Sequence, residues 1–264
     1  MLKELTARLR QGYRTMPYPK GEPTLPDRFR GKPEFEPSKC PQGCRTCASA
    51  CPTGAIVSDG GPALDLGRCL FCGDCQTACP DGALRFSREH RLAAWSREDL
   101  VLREPQPPRA PRPAARLQIF RRSLQLRQVS AGGCNACEAD INVLTTIGFD
   151  LGRFGIQIVA SPRHADGLLV TGPVTENMKL ALEKTYAALP PPRLVVAVGA
   201  CAIAGGPFCD QPPVHNGAAQ IVPVDLFIPG CPPHPLTILD GLLQCVLAAN
   251  PATHSCLKSA THPV

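Results

Sequence analysis

Two cysteine runs constrain this chain more than any other feature. The second reads Cys69-Leu-Phe-Cys72-Gly-Asp-Cys75-Gln-Thr-Ala-Cys79-Pro80. This is the C-x2-C-x2-C-x3-C-P spacing of bacterial cluster-binding segments, in which three thiolates wrap one cubane and the fourth reaches its neighbour. The first run, Cys40-Pro-Gln-Gly-Cys44-Arg-Thr-Cys47-Ala-Ser-Ala-Cys51-Pro52, has one extra residue between its first two cysteines. Exchange of the fourth ligand assigns Cys40, Cys44, Cys47 and Cys79 to one [4Fe–4S] cluster and Cys69, Cys72, Cys75 and Cys51 to a second. Paired C-x2-C units also build zinc ribbons, but two units each ending in C-x3-C-P favour iron and sulfide. The extra residue after Cys40 leaves two readings, a tolerated loop expansion with four ligands or a three-thiolate site; the four-ligand reading is preferred.

The chain carries 15 cysteines among 264 residues, an odd count that disulfide pairing does not explain. The opening segment MLKELTARLRQGYRTMPYPK holds no apolar run of signal length, and no stretch approaches the roughly 18 apolar residues of a membrane span. The expected setting is a reducing cytoplasm, where such cysteines bind metal more often than they cross-link. Residues 1–32 contain eight Lys/Arg against three Asp/Glu. With few aromatics and no nucleic-acid-binding signature, this excess reads as a solvated face or a docking surface, and no nucleic acid is expected as a partner.

The expected organisation has four parts: a helix and extended arm over 1–38, a ferredoxin-like domain over 39–102, a Pro-rich linker over 103–118, and an α/β domain over 119–264. The linker contains EPQPPRAPRP, with five prolines in ten residues, a semi-rigid spacer. Beyond it, apolar runs at Leu124–Val129, Ile156–Ala160, Leu168–Thr171 and Leu194–Val198 read as buried strands, with Val222–Val224 and Leu226–Ile228 as further candidates. Helices are expected near Cys137–Ile147, Thr175–Ala188 and Pro235–Ala249. The fold class is therefore α+β with two domains, the second a flavodoxin-like parallel sheet covered on both faces.

Gly132-Gly133-Cys134-Asn135-Ala136-Cys137-Glu138 lies where the first of these strands turns into a helix. Gly199-Ala200-Cys201 and Pro229-Gly230-Cys231-Pro232 follow two later strands. Ligands gather beyond the carboxyl ends of such strands, so Cys134, Cys137, Cys201 and Cys231 are expected to hold a third [4Fe–4S] cluster. Cys209, Cys245 and Cys256 remain; Cys245 reads as core, Cys209 as a loop thiol and Cys256 as incidental.

At this point the C-terminal half, from Leu124 to Ala249, resembles the small, cluster-bearing subunit of membrane-bound group 4 [NiFe] hydrogenases of the formate hydrogenlyase type. These are kin to the 20 kDa cluster-carrying subunit of NADH:quinone oxidoreductase. The resemblance rests on GGCNACEADI, RFGIQIVASPRHADGLLVTGPV, VGAC and VPVDLFIPGCPP. The N-terminal half, from Tyr18 to Leu100, resembles the polyferredoxin subunit of the same complexes through FRGKPE, the cysteine units and LAAWSREDL. Respiratory relatives carry adjacent cysteines at the first ligand position; the separation of Cys134 from Cys137 resembles the hydrogenase branch. Asp140 stands where Glu is more usual, and the tail after Pro251 is short.

The resemblance implies an electron-transfer subunit, not itself catalytic, that relays electrons through three clusters to or from the Ni–Fe site of a separate large subunit. The implied partners are that large subunit, membrane-arm subunits, and a soluble dehydrogenase or ferredoxin donor. The implied location is the inner face of the cell membrane, held peripherally. A complex I-like, quinone- or ferredoxin-linked oxidoreductase without hydrogenase activity is the alternative, and a free-standing carrier is a third reading. Glu138 and Asp140 are candidates for a proton relay, or for simple charge at a helix start. Arg163 and His164 are candidates for redox tuning, or for structural pairing with Asp166.

Overall fold

The computed structural model describes residues 2–12, 14–41, 43–57, 63–103, 118–120 and 123–247. Most of the Pro-rich segment and Cys256 lie outside the described residues. An amphipathic helix α1 (Leu2–Gln11) opens the chain and leaves Leu5 and Leu9 exposed. The cysteine-rich region then builds two short sheets. Strand β1 (Pro33–Phe35) pairs antiparallel with β4 (Leu84–Phe86). Strands β2 (Ile56–Val57), β3 (Ala63–Asp65) and β5 (Val101–Leu102) form the second sheet, in that order. The single-turn helices α2 (Thr46–Ser49) and α3 (Asp74–Ala78) lie in the two cysteine runs. Within residues 87–102 lie a backbone bridge at Ala94, a single 3-10 turn over Glu98–Leu100, and β5.

The C-terminal region is built on five parallel strands: β6 (Leu124–Ser130), β7 (Ile156–Ile158), β8 (Gly167–Thr171), β9 (Leu194–Val198) and β10 (Leu226–Ile228). Their spatial order is β10-β9-β8-β6-β7. Numbered within the sheet this is 2-1-3-4-5, the flavodoxin-like order. Strands β8, β9 and β10 are buried throughout, as parallel strands covered on both faces must be. The strand period of two divides their side chains. Leu124, Leu126, Leu169, Val196 and Val198 pack in one core with Leu239 and Leu242 of α7 (Pro235–Leu247) and Ile141 of α4 (Ala136–Val143). Leu168, Val170 and Val195 pack on the other face with Leu182 of α5 (Glu176–Ala187).

Two expected elements differ. Val222–Val224 is a turn and not a strand: Pro223 at its centre has no N–H to give a ladder, and Val222 is used to plug a core. Helix α4 stops at Val143, short of Ile147. There Thr145 and Thr146 hydroxyls donate back to the carbonyls of Asn142 and Val143 at 2.8 and 2.7 Å, a local alternative to helical bonding. A further short helix, α6 (Ala200–Ala204), follows β9 directly.

The ferredoxin-like and α/β regions share a core. Leu64, Leu66 and Leu100 cluster with Ala197, Ala202, Ile203 and Phe227. Ala94 exchanges both backbone hydrogen bonds with Phe227 of β10, at 3.0 and 2.9 Å. Arg97 grips Asp65 with two bonds of 2.7 and 2.6 Å. Beside it Gly67 presses so closely on Ile203 that an added Cβ would stand 2.8 Å from its Cγ2. Because Leu100 is fully buried in this shared core, Leu100→Ala is expected to cost about 2–5 kcal/mol. Denaturant unfolding followed by near-UV circular dichroism should show one transition at lower midpoint; two separated transitions would show that the regions fold independently.

Tyr18 ties the N-terminal arm to α7. Its hydroxyl donates to Asp240 Oδ1 at 2.7 Å and lies 3.3 Å from His90 Nε2. Burial, with Arg91 beside it, pushes the His90 pKa down. A histidine held neutral in the fold binds its proton more readily when unfolded, so its contribution is present above the unfolded value of about 6.5 and lost as pH falls below it. Thermal stability is expected to fall between about pH 7 and pH 5, and His90→Gln should flatten that slope. An unchanged slope in the variant would assign the acid sensitivity elsewhere.

Candidate metal centres

The duplicated cysteine units fold alike. After Cys51 and Cys79 the chain reads Pro-Thr-Gly-Ala and Pro-Asp-Gly-Ala, and Gly54 and Gly82 adopt φ of +58° and +62°, which glycine supplies without a Cβ penalty. The turn points the next amide back at the sulfur: Ala55 N–H donates to Cys51 Sγ at 3.2 Å and Ala83 N–H to Cys79 Sγ at 3.3 Å. Phe71 N–H donates to Cys69 Sγ at 3.3 Å. Thr46 Oγ1 lies 3.4 Å from Cys44 Sγ, and this contact draws the Cys44 pKa down.

The eight thiols lie close enough to influence one another, and Cys75 is reached by Cys47 of the first run as well as by Cys51 and Cys72. Cys40 and Cys47 both feel Cys44 and Cys79. Cys69 and Cys75 both feel Cys51 and Cys72. Cys40, in spite of its longer spacing, lies near Cys44 and Cys79. Burial pushes Cys69 up to about 12 and Cys75 up to about 11. The second set lines a cavity with Leu64, Leu70 and Phe86.

The third set forms at the carboxyl edge of the parallel sheet. Cys134 lies beyond β6, Cys137 in the first turn of α4, Cys201 in the first turn of α6 after β9, and Cys231 beyond β10. Each strand delivers its cysteine to the same edge, and Cys137 feels Cys134, Cys201 and Cys231. Two glycines leave room for sulfur. A Cβ on Gly199 (φ +92°) would stand 2.6 Å from Cys137 Sγ, and one on Gly206 (φ +56°) 2.7 Å from Cys201 Sγ. Burial raises the Cys137 pKa well above the thiol range, with Glu138 adding to it, and raises Cys201 to about 12. Cys134 and Cys231 are exposed, so this centre lies at the surface.

Thiols raised in this way need positive charge to ionise, which bound iron supplies. Among the described residues no three Cys, His, Asp or Glu side chains close on one point as a single ion requires. A cubane takes one thiolate on each of its irons, and the cysteines grouped at these centres are of the kind that would hold one.

The other candidates are less uniformly placed. Glu138 is buried and accepts a 2.6 Å hydrogen bond from Thr171 Oγ1 at the end of β8. Asp140, whose pKa burial raises, lines a cavity with Cys231 and His234. Arg163 and His164 are not brought to the third centre. They occupy the turn before Asp166, whose carboxylate accepts from Gln125 N–H at the amino end of β6, and the cysteines lie beyond the opposite ends of the strands. Cys209 faces Asp210 and Arg68, and Cys245 is buried in α7. Sequence reasoning missed the amide donors of Ala55 and Ala83, whose signal is the repeated C-P-x-G-A, and that of Phe71, which has no such signal. It also missed Gly199 and Gly206 as spacers and Arg30, which bonds the Phe71 carbonyl beside Cys72.

A dicluster ferredoxin-like region joined to a flavodoxin-like sheet with a four-cysteine edge defines an iron–sulfur protein of the electron-transfer class. Residues 39–84 match the 4Fe-4S dicluster domain, and residues 134–245 match the NADH ubiquinone oxidoreductase, 20 Kd subunit. A probable membrane-bound hydrogenase subunit of Pyrococcus furiosus is 43% identical over 46% of this chain and 73% of its own length. Formate hydrogenlyase subunit 7 of Escherichia coli is 44% identical over 50% of this chain and 52% of its own length. An NADH-quinone oxidoreductase subunit of Bacteroides thetaiotaomicron is 42% identical over 42% of this chain and 56% of its own length. The chain belongs to the family of the 20 kDa NADH:ubiquinone oxidoreductase subunit and serves as an electron-transfer subunit of an oxidoreductase.

Proposed function

We propose that this chain carries three [4Fe–4S] clusters and relays electrons to or from the Ni–Fe site of a hydrogenase-type large subunit. The ligand sets are Cys40, Cys44, Cys47 and Cys79; Cys69, Cys72, Cys75 and Cys51; and Cys134, Cys137, Cys201 and Cys231. Each cluster, when bound, takes up and gives back one electron. The chain's own residues tune that exchange through amide donors to sulfur, burial and nearby charge.

The observation that carries the reading is the surface centre built around Cys134-x-x-Cys137. Its exposed Cys134 and Cys231 leave a cluster edge open to a partner, and its separated cysteines resemble the hydrogenase branch. Membrane-bound hydrogenase and formate hydrogenlyase relatives at 43% and 44% identity support the same choice. No helix among the described residues is long and apolar enough to cross a membrane. With a membrane-bound relative beside that fact, attachment is proposed to be peripheral, through membrane-arm subunits. A soluble dehydrogenase or ferredoxin is the proposed donor.

A quinone- or ferredoxin-linked complex without hydrogenase activity is the second reading, favoured by the NADH-quinone oxidoreductase relative at 42% identity. Electron spin resonance of the native complex under hydrogen and under argon, with a dithionite control, separates the two. Cluster signals that appear under hydrogen support the hydrogenase reading. Signals that respond to dithionite alone transfer the chain to the second.

A further inference from the structure

A cavity of about 300 Å³ lies between the N-terminal arm and the turn that leads from β10 into α7. Phe29, Phe71, Leu92 and the prolines of that turn give it apolar walls. Its polar groups are Arg28, Arg30, Asp140, His234 and Thr237. Thr237 stands in the first turn of α7 and is only 2% exposed. Its N–H is given to the His234 carbonyl at 2.8 Å, but no group among the described residues meets its hydroxyl. A hydroxyl so deeply buried needs a partner, and the cavity is where one can stand. His234 accepts the Leu236 N–H on Nδ1 at 3.2 Å, which leaves its own proton on Nε2, and its ring stands edge-on to Phe29 with centroids 5.2 Å apart. Arg28 makes no ion pair or hydrogen bond among the described residues. Arg30 donates one N–H to the Phe71 carbonyl at 3.2 Å and keeps the rest of its fork. Asp140 is the acidic side chain of the lining, and the two guanidiniums outweigh it.

We propose that this cavity binds a small carboxylate from solution. Arg28 and Arg30 supply the counter-charge, and forked cations of this kind match the planar shape of a carboxylate. The Thr237 hydroxyl and His234 Nε2 fix its oxygens, and the apolar walls take the remainder of the molecule. The space is a concavity of ligand size, with convergent polar groups set in apolar walls, and the chain's own arm forms one side of it. That shape suits a free small molecule. Cys231 lines the same cavity, so the bound anion lies beside the third centre. Where the three-cluster reading holds, the anion makes that cluster harder to reduce, because negative charge nearby disfavours an added electron. The relay then responds to the concentration of such a carboxylate, with no bond made or broken.

The test uses the full chain, reconstituted anaerobically with iron and sulfide. Sodium acetate is the probe, and sodium chloride at equal ionic strength is the control. Titration calorimetry should show saturable binding of a single acetate. With carbon-13-labelled acetate, pulsed spin resonance of the reduced third cluster should show a coupling to carbon that saturates over the same range. That cluster's midpoint should move to lower potential while the first cluster's stays in place. Arg28→Met, at an exposed side chain, and Thr237→Val, which keeps the buried shape, should each raise the half-saturating concentration about tenfold, the scale of one hydrogen bond to a charged group. Asp140→Asn should lower it. Heat no greater than that of chloride, or binding that neither Arg28→Met nor Thr237→Val weakens, would overturn the site. An iron count below about 12 would overturn the three-cluster reading alone, because the calorimetry needs no third cluster. Binding to the free chain that vanishes in the native complex would assign the cavity to a carboxylate of a partner subunit and overturn the free ligand.

Discussion

Replacing Cys231 by alanine is expected to lower the iron content of the anaerobically prepared chain from about 12 to about 8 atoms, because one cubane of three is lost. The effect should be large and confined. Cys231 is exposed, so removing its sulfur opens no cavity in the core, and the melting temperature of the cluster-free chain should be unchanged. The proposed ligands of the first and second centres all lie outside the parallel sheet, so those centres should keep their spin signals. Cys201→Ala is a harsher version, since Cys201 is buried beneath Gly206 and its loss also costs packing. Iron that stays near 12 in Cys231→Ala would remove this residue from the ligand set.

Gly199→Ala should produce nearly the same iron loss without touching a ligand. The Gly199 backbone has φ +92° and ψ 156°, a region that is essentially glycine-only and costs about 1–3 kcal/mol for other residues. A methyl there would also stand 2.6 Å from Cys137 Sγ. That neighbour is a short side chain on the first turn of α4, packed under the sheet edge, and it has little room to yield. The prediction is a lower denaturant midpoint together with third-centre iron that is absent or readily lost to a chelator. A variant with full iron and unchanged stability would show that the β9–α6 turn tolerates a side chain and does not shape the centre.

The legible part of this protein was covalent spacing and strand periodicity. The C-x2-C-x2-C-x3-C-P spacing led to the proposed grouping of Cys69, Cys72 and Cys75 with Cys51, and these four line one cavity. The apolar runs that became β8 and β9 were legible because strands buried on both faces need no alternation, whereas β6 showed itself by burying Leu124 and Leu126 on either side of Gln125. What sequence did not disclose depends on long-range geometry. Arg163 and His164 read as edge residues because they follow β7, but β7 is short and its connection returns to the amino end of the sheet. Val222–Val224 had strand composition, and a single proline overrode it. Most consequential, a Pro-rich stretch implied separable domains. Leu100, Ile203 and Phe227 nevertheless lie in one core, a fact that no local pattern in any of the three could announce.

A joint count of iron and acid-labile sulfide per chain, in protein purified without oxygen, decides whether three cubanes are bound. About 12 of each, with spin signals from three distinct clusters on reduction, is expected. About 8 of each would leave the sheet-edge cysteines without a cluster and contradict it. Zinc in place of iron at any of the three centres would contradict it as well.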